Sequence, residues 1–276
     1  MVHINVLDPS ASPLDYYGFE LRRHREAAGL TQKQLGQIVN YTGSLVGQIE
    51  TARKLPTLEF SERCDAALGT EGLLSRLIDL VLRSELPAWF RQIAELESRA
   101  TEIQAFHTHL IHGLLQTEEY ARAVLGYVDR TGLDRKVAAR LGRQRILENG
   151  QAPLLWLVLD EGVLHRQVGG AAVMRKQLAH LLGYEANPRV NVQVLPFGVG
   201  AHAGSPGPFD MFRFSKDPAI VYTEDYETGR STANPERVGE HSLRYAHLQA
   251  AALSPVDSAL LIRSVMEERY GEHPLA

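Results

Sequence analysis

The sequence predicts a mainly α protein with an all-helical head and an α+β body whose helices pack on a small mixed sheet. Three observations carry this. The chain has 276 residues, which at about 150 residues per domain suggests two domains. From Tyr17 to Leu82 the apolar residues recur every three or four positions in short runs, the period of packed helices. After Pro153 the text changes: LLWLVL (154–159) is a continuous apolar run, and Val190, Val192 and Val194 alternate with Asn191 and Gln193, both signals of strands. The predicted layout is an arm over 1–16, a head over 17–82 and a body over 86–276.

Residues 8–13 (DPSASP) are turn-rich and read as part of a flexible arm. The first head helix carries LRRHREAA and stops at Gly29, a residue that accepts the left-handed backbone of a helix end. Thr31 is placed to cap the second helix, with Gln34 at the capping-box position and Leu35, Ile38 and Val39 as its apolar face. Asn40 and Tyr41 interrupt the pattern, and Thr42 caps a short third helix whose Leu45 or Val46, with Ile49, face inward. Two short helices joined by about three residues form a helix-turn-helix. A fourth helix over about 58–68 ends at Gly69, and its single Cys64 reads as a buried structural thiol.

In the body, Pro87 suits a first helical turn. Trp89, Ile93, Leu96, Ala100 and Ile103 then give a long amphipathic stretch. Helices are expected over 117–128, 134–148, 171–184, 235–251 and 256–270, and strands over 209–214 (FDMFRF) and 219–224 (AIVYTE). Gly198 to Pro208 reads as a loop.

Composition narrows the function. A 44% apolar and 22% charged chain is an ordinary globular protein and excludes a mainly disordered one. One cysteine excludes an internal disulfide and a cysteine-rich zinc site. The net charge of -4 excludes a chain-wide basic field, so any nucleic-acid contact must come from a local patch. The N-terminal text lacks the apolar core of a signal peptide, and no apolar run approaches membrane-spanning length; the expected compartment is the cytoplasm, with no membrane contact.

The stretch Leu21–Gly69 resembles the Cro/repressor-type helix-turn-helix of the XRE family. The matching pieces are LRRHREAAGLTQKQL, VGQIE and RKLP. The resemblance implies a DNA-binding transcription regulator, typically a repressor, whose third helix enters the major groove. Thr42, Gly43, Ser44 and Gln48 are then the outward positions, with Leu45 beside them. Gln bonds adenine in bidentate fashion, Ser bonds several base edges, and Leu touches a thymine methyl. Gln32 matches the family's usual Gln, which contacts the DNA backbone and braces the recognition helix, and it is counted with the base-contact set. Lys33, Arg53 and Lys54 are the expected phosphate partners. Between Tyr17 and Thr70, seven Lys/Arg face six Asp/Glu. So weak a basic excess argues for two copies, a homodimer on a palindromic operator. Glu50 reads as a brace within the fold.

Residues 88–270 resemble a domain without established activity that follows such heads in actinobacterial regulators, including WhiJ-like proteins. The matching text includes GLLQTEEYARAVL, LVLDEGVLHRQVGG and QVLPFGVGAHAGSPGPFDMFRF. His112 departs from it, since relatives commonly carry Pro there. The resemblance implies a regulatory module that senses a small-molecule effector or a protein partner. The alternative is an antitoxin-like interaction protein that holds a small co-encoded companion and autoregulates its operon.

The body is not expected to be an enzyme. A G-x-S-x-G elbow is missing, and the glycine run 198–208 lies between strands, whereas a phosphate-cradling loop opens a helix. His107, His109 and His112 cluster, with His107 and His109 expected on one strand face, but no carboxylate stands near them in sequence; no metal and no cofactor are expected. His202 and Asp210 are candidate lining residues of one pocket. Six bases between Arg130 and Ile146, with 136, 140 and 143 along one helix side, are either a solvated face or a contact for acidic partner surface or flanking DNA. The acid-rich stretch 217–240 is a candidate partner for them.

Overall fold

The computed structural model describes residues 8–84, 88–128, 130–148, 150, 152–224 and 229–271. It divides into two compact units, Met1–Pro87 and Ala88–Ala276.

Among the described residues, the first unit is five helices: α1 (Pro13–Ala27), α2 (Gln32–Ile38), α3 (Gly43–Glu50), α4 (Leu58–Leu68) and α5 (Leu73–Ser84). Each of the first four starts on a hydroxyl cap. Ser12, Thr31, Thr42 and Thr57 accept from the backbone N–H three residues on, and Thr31 and Gln34 complete a capping box. Gly29 and Gly69 take left-handed backbone after α1 and α4 (φ 69° and 65°). The predicted arm is too long at its C-terminal end. Helix α1 begins at Pro13, and Leu14 and Tyr17 are buried. Pro13 signals a first helical turn as readily as a loop, and Leu14 supplies the apolar contact that decides between them. Residues 1–7 of the arm lie outside the described residues.

The head core joins Leu14, Tyr17, Leu21, Leu35, Val39, Val46, Ile49, Phe60, Cys64, Leu74 and Ile78. Burial, with Asp65 and Glu50 nearby, pushes the Cys64 thiol up to about 12, so it stays an inert apolar group. Asp65 ties α4 to α5: it accepts from the Leu74 and Ser75 amides at 2.9 Å each, from the Ser75 hydroxyl at 2.5 Å, and from Thr70.

The second unit opens with α6 (Ala88–Arg99). Its helices are α7 (Glu118–Val128), α8 (Leu133–Gln144), α9 (Gly162–His165), α10 (Ala171–Leu182), α11 (Pro235–Ala251) and α12 (Pro255–Tyr270). Its strands are β1 (Glu102–His107), β2 (Leu154–Asp160), β3 (Val190–Leu195), β4 (Phe209–Arg213), β5 (Ile220–Glu224) and β6 (Gly229–Thr232). They form one mixed sheet in the order β3-β2-β1-β4-β5-β6. β1, β2 and β3 run parallel; β4, β5 and β6 are antiparallel to their neighbours.

One sheet face packs on α11. Phe106, Val158, Phe209, Met211 and Val221 meet Tyr245 and Leu248 there, and the Tyr245 hydroxyl donates to the Trp156 carbonyl at 2.8 Å. Helix α12 covers edge strand β3: the Val194 amide donates to the Ser258 hydroxyl at 2.9 Å. The expected amphipathic helix from Trp89 to Ile103 is shorter than its spacing suggests. It ends at Arg99, and the Thr101 amide turns to the Arg213 carbonyl at 2.8 Å, starting β1. Pro87 and the side chain of Trp89 lie outside the described residues. Among the described residues, no helix is long and apolar enough to cross a membrane.

Candidate functional site

In the head, α2 and α3 meet through glycine. A Cβ on Gly36 would lie 2.8 Å from the Gly43 nitrogen and the Tyr41 carbonyl oxygen, and a Cβ on Gly43 would lie 2.8 Å from the Lys33 Cα. The turn between them runs through Asn40 at φ 60°, a left-handed position that Asn tolerates. Backbone packs on backbone, which fixes how α3 is presented. Val46 and Ile49 bury its inner face.

The outer face of α3 carries Thr42, Ser44 and Gln48, all exposed. The Thr42 oxygen accepts from the Leu45 amide at 3.1 Å, and the Gln48 amide donates to the Ser44 hydroxyl at 3.3 Å. Lys33, Arg53 and Lys54 are exposed at the helix's two ends. After α3 the chain folds back, with the Arg53 and Lys54 amides both donating to the Gln48 carbonyl at 2.9 and 3.3 Å.

Three predicted base-contacting residues are placed differently from Thr42, Ser44 and Gln48. Gly43 is half-buried against α2, where its missing side chain is the point. Leu45 is half-buried and packs in part against the head core. Gln32 donates from Nε2 to Glu50 Oε2 at 2.8 Å, and its Oε1 stands 2.9 Å from where a Gly47 Cβ would be. That amide nitrogen is engaged within the fold, so Gln32 braces α3 against α2. Glu50 is fully buried. It also accepts from Arg25, Nε to Oε1 at 2.5 Å and Nη2 to Oε2 at 3.0 Å, and this raises the Arg25 guanidinium above its ordinary value. Glu50 therefore joins α1, α2 and α3.

A second site forms in the body at the carboxyl end of β1, where the strand order turns from β2 to β4. Open sheets place ligand crevices at such a point. Ala105 pairs with Asp210 and Asp210 with Tyr222, so His107, Asp210, Tyr222 and Glu224 share one face by the two-residue period. That face is opposite the one packed on α11. They line a cavity of about 320 Å³ with Ile93, His112, Gln116, Arg140 and Arg143.

His107 Nε2 and Asp210 Oδ1 lie 3.0 Å apart, and His112 Nε2 stands 3.8 Å from the same oxygen. The two imidazoles meet edge to face at 4.9 Å. Burial by itself lowers His107, but the Asp210 charge and hydrogen bond outweigh it and hold the ring above its ordinary value. Burial likewise opposes ionisation of Asp210, yet His107 and His112 keep it below the usual carboxylate range. His112 is pushed down to about 3 by burial, against the pull of Asp210, and is neutral at physiological pH. Arg143 and Glu97 form a forked ion pair, Nε to Oε2 at 2.7 Å. Burial, followed by the like charge of Arg143, lowers Arg140 to about 10. Burial and Asp210 raise Glu224.

The body pattern corrects three expectations and decides a fourth that the sequence left open. His202 and Asp210 do not share this cavity: His202 Nε2 lies 3.8 Å from Asp160 Oδ2, and its ring packs edge-on to Phe106 at 5.7 Å. His109 follows the end of β1 rather than sharing its face, and its Nδ1 lies 2.7 Å from the Thr108 hydroxyl. A carboxylate does stand with the histidines, because β1–β4 pairing delivers Asp210 from 103 residues away. Arg140 and Arg143 are not a solvated face; they point into the body, where Glu224 of the acid-rich stretch acts on Arg140. Residues 225–228 of that stretch lie outside the described residues.

Glu97, Tyr222 and Glu224 were not singled out by sequence. The HTHLIH cluster was the one visible signal. Comparison with known families settles what the body is: residues 90–264 match the domain of unknown function DUF5753. The chain belongs to this family. Residues 17–77 match a helix-turn-helix domain. The DUF5753 body thus holds the cavity, and the helix-turn-helix head holds the exposed α3 face. No curated protein and no solved structure matches the chain.

Proposed function

We propose that this DUF5753 protein is a sequence-specific, XRE-type transcriptional regulator, kin to WhiJ-like regulators, that binds a palindromic operator as a homodimer. One observation carries the reading: α3 buries one face completely and offers Thr42, Ser44 and Gln48 on the other, with Lys33, Arg53 and Lys54 at its ends. Such a helix places its N-terminal half against base edges while the flanking cations take phosphates. Gln32 acts through the protein by holding α3 in place. Three cations per head and two heads give about six phosphate contacts, hence a salt slope of about -5. The body binds an effector in the 320 Å³ cavity and biases DNA affinity, as a binding module rather than a catalyst.

Selection of duplexes from a randomised pool by the full chain tests this. The expected product is an inverted repeat with half-sites about one helical turn apart. No enrichment at low salt overturns the proposal.

A further inference from the structure

The geometry points to His107, His112 and Asp210 as the ligands of one transition-metal ion of the zinc type, bound on the wall of the body cavity. The end of β1, the turn after it and β4 each contribute one group. Their ligand atoms all lie within 4.8 Å of one another. A tetrahedral ion with bonds of about 2.0–2.1 Å needs ligand atoms about 3.4 Å apart. The two distances to Asp210 Oδ1, 3.0 and 3.8 Å, bracket that edge. The remaining edge, between the two imidazole nitrogens, lies within 4.8 Å.

The chemistry of the set suits an ion. Two imidazoles and one carboxylate are the donors of open zinc and iron sites, which leave a position for water or a second ligand. The cavity supplies that position. Around it stand the carboxylates of Asp210, Glu97 and Glu224 and the guanidiniums of Arg140 and Arg143. The ion takes the place of the proton between His107 and Asp210.

His112 adds a signature. In the free protein the Leu114 amide donates to its Nδ1 at 3.2 Å, so the neutral ring carries its proton on Nε2, facing Asp210. Coordination through Nε2 moves that proton to Nδ1 and displaces the Leu114 amide. Loading the ion therefore loosens the turn Gly113–Leu115.

The test uses the full chain, stripped with a chelator and titrated with Co²⁺ and with Zn²⁺. Because the site lies wholly within the body, its outcome is separate from that of DNA binding. The expected result is one ion per chain, with the visible bands of low-coordinate Co²⁺ that Zn²⁺ abolishes, and faster exchange of the Leu114 amide on loading. His107→Gln, His112→Asn and Asp210→Asn are each expected to weaken binding at least tenfold, while His202→Asn leaves it unchanged. His107 is 24% exposed, so its variant is the safest for folding, which circular dichroism checks. No stoichiometric binding by the folded chain, or binding that survives all three substitutions, overturns the assignment.

Discussion

Glu50 in the head and Asp210 in the body are both buried carboxylates, but their surroundings differ. Glu50 is reached by Arg25 from α1 and Gln32 from α2, so its charge is spent joining helices. Asp210 is reached by two histidines and lies on a cavity wall. Asp65 repeats the first pattern, with four donors from the α4–α5 junction. A buried charge satisfied from all sides is structural, whereas one that faces a cavity retains capacity for a ligand. The head accordingly presents its candidate contact groups outside, on α3, and the body holds its candidate site inside.

The largest effect that sharpens this contrast is Glu50→Ala. It leaves Arg25 buried without its carboxylate and is expected to cost the head about 3–5 kcal/mol. Hydrogen exchange of the α1–α5 amides measures it. Asp210→Asn is expected to cost the body clearly less, because His107 can shed its proton; equal losses erase the distinction. Asp65→Asn comes next, at about 1.5–3 kcal/mol. Burial opposes the Asp65 charge, but the Ser75 and Thr70 hydroxyls and the Leu74 amide outweigh it and hold the carboxyl below 3.8. A folded value below the unfolded one means the stabilisation is complete above about pH 4 and is lost as pH falls through the folded value. The variant should lose that acid-side slope in head unfolding followed against pH. Gly36→Ala forces a Cβ into the α2–α3 contact and should cost about 1–3 kcal/mol by urea unfolding. Smallest of all, Gln48→Ala should change stability by less than about 0.5 kcal/mol, since Gln48 is exposed.

The head was legible because its signals are local. Thr31 with Gln34, Thr42, Gly29 and Gly69 mark helix ends within a few residues, and each appears at the end it marks. The body was legible where apolar runs are long, as in β2, and obscure where they are short. β1 (EIQAFH) follows a helix in phase with Ile93 and Leu96, so Ala100 and Ile103 extend the helical spacing past the true end. β6 (GRST) has no apolar residue to alternate. The body site was half legible: the histidines are adjacent in sequence, but Asp210, Glu97 and Arg143 reach them only through strand pairing and helix packing. The role of Gly43 was hidden because a close backbone approach leaves no mark on the residue itself. The bracing role of Gln32 was legible from its position, but its partner Glu50, 18 residues on, is a tertiary contact.

The central claim is that the outer face of α3 reads base edges. Its most direct measurement compares the full chain with Gln48→Ala on the selected operator and on every single-base variant of one half-site. The account predicts that discrimination falls by about 1–3 kcal/mol at one base position while the salt slope stays the same. An unchanged preference at every position, with the same affinity, would contradict it.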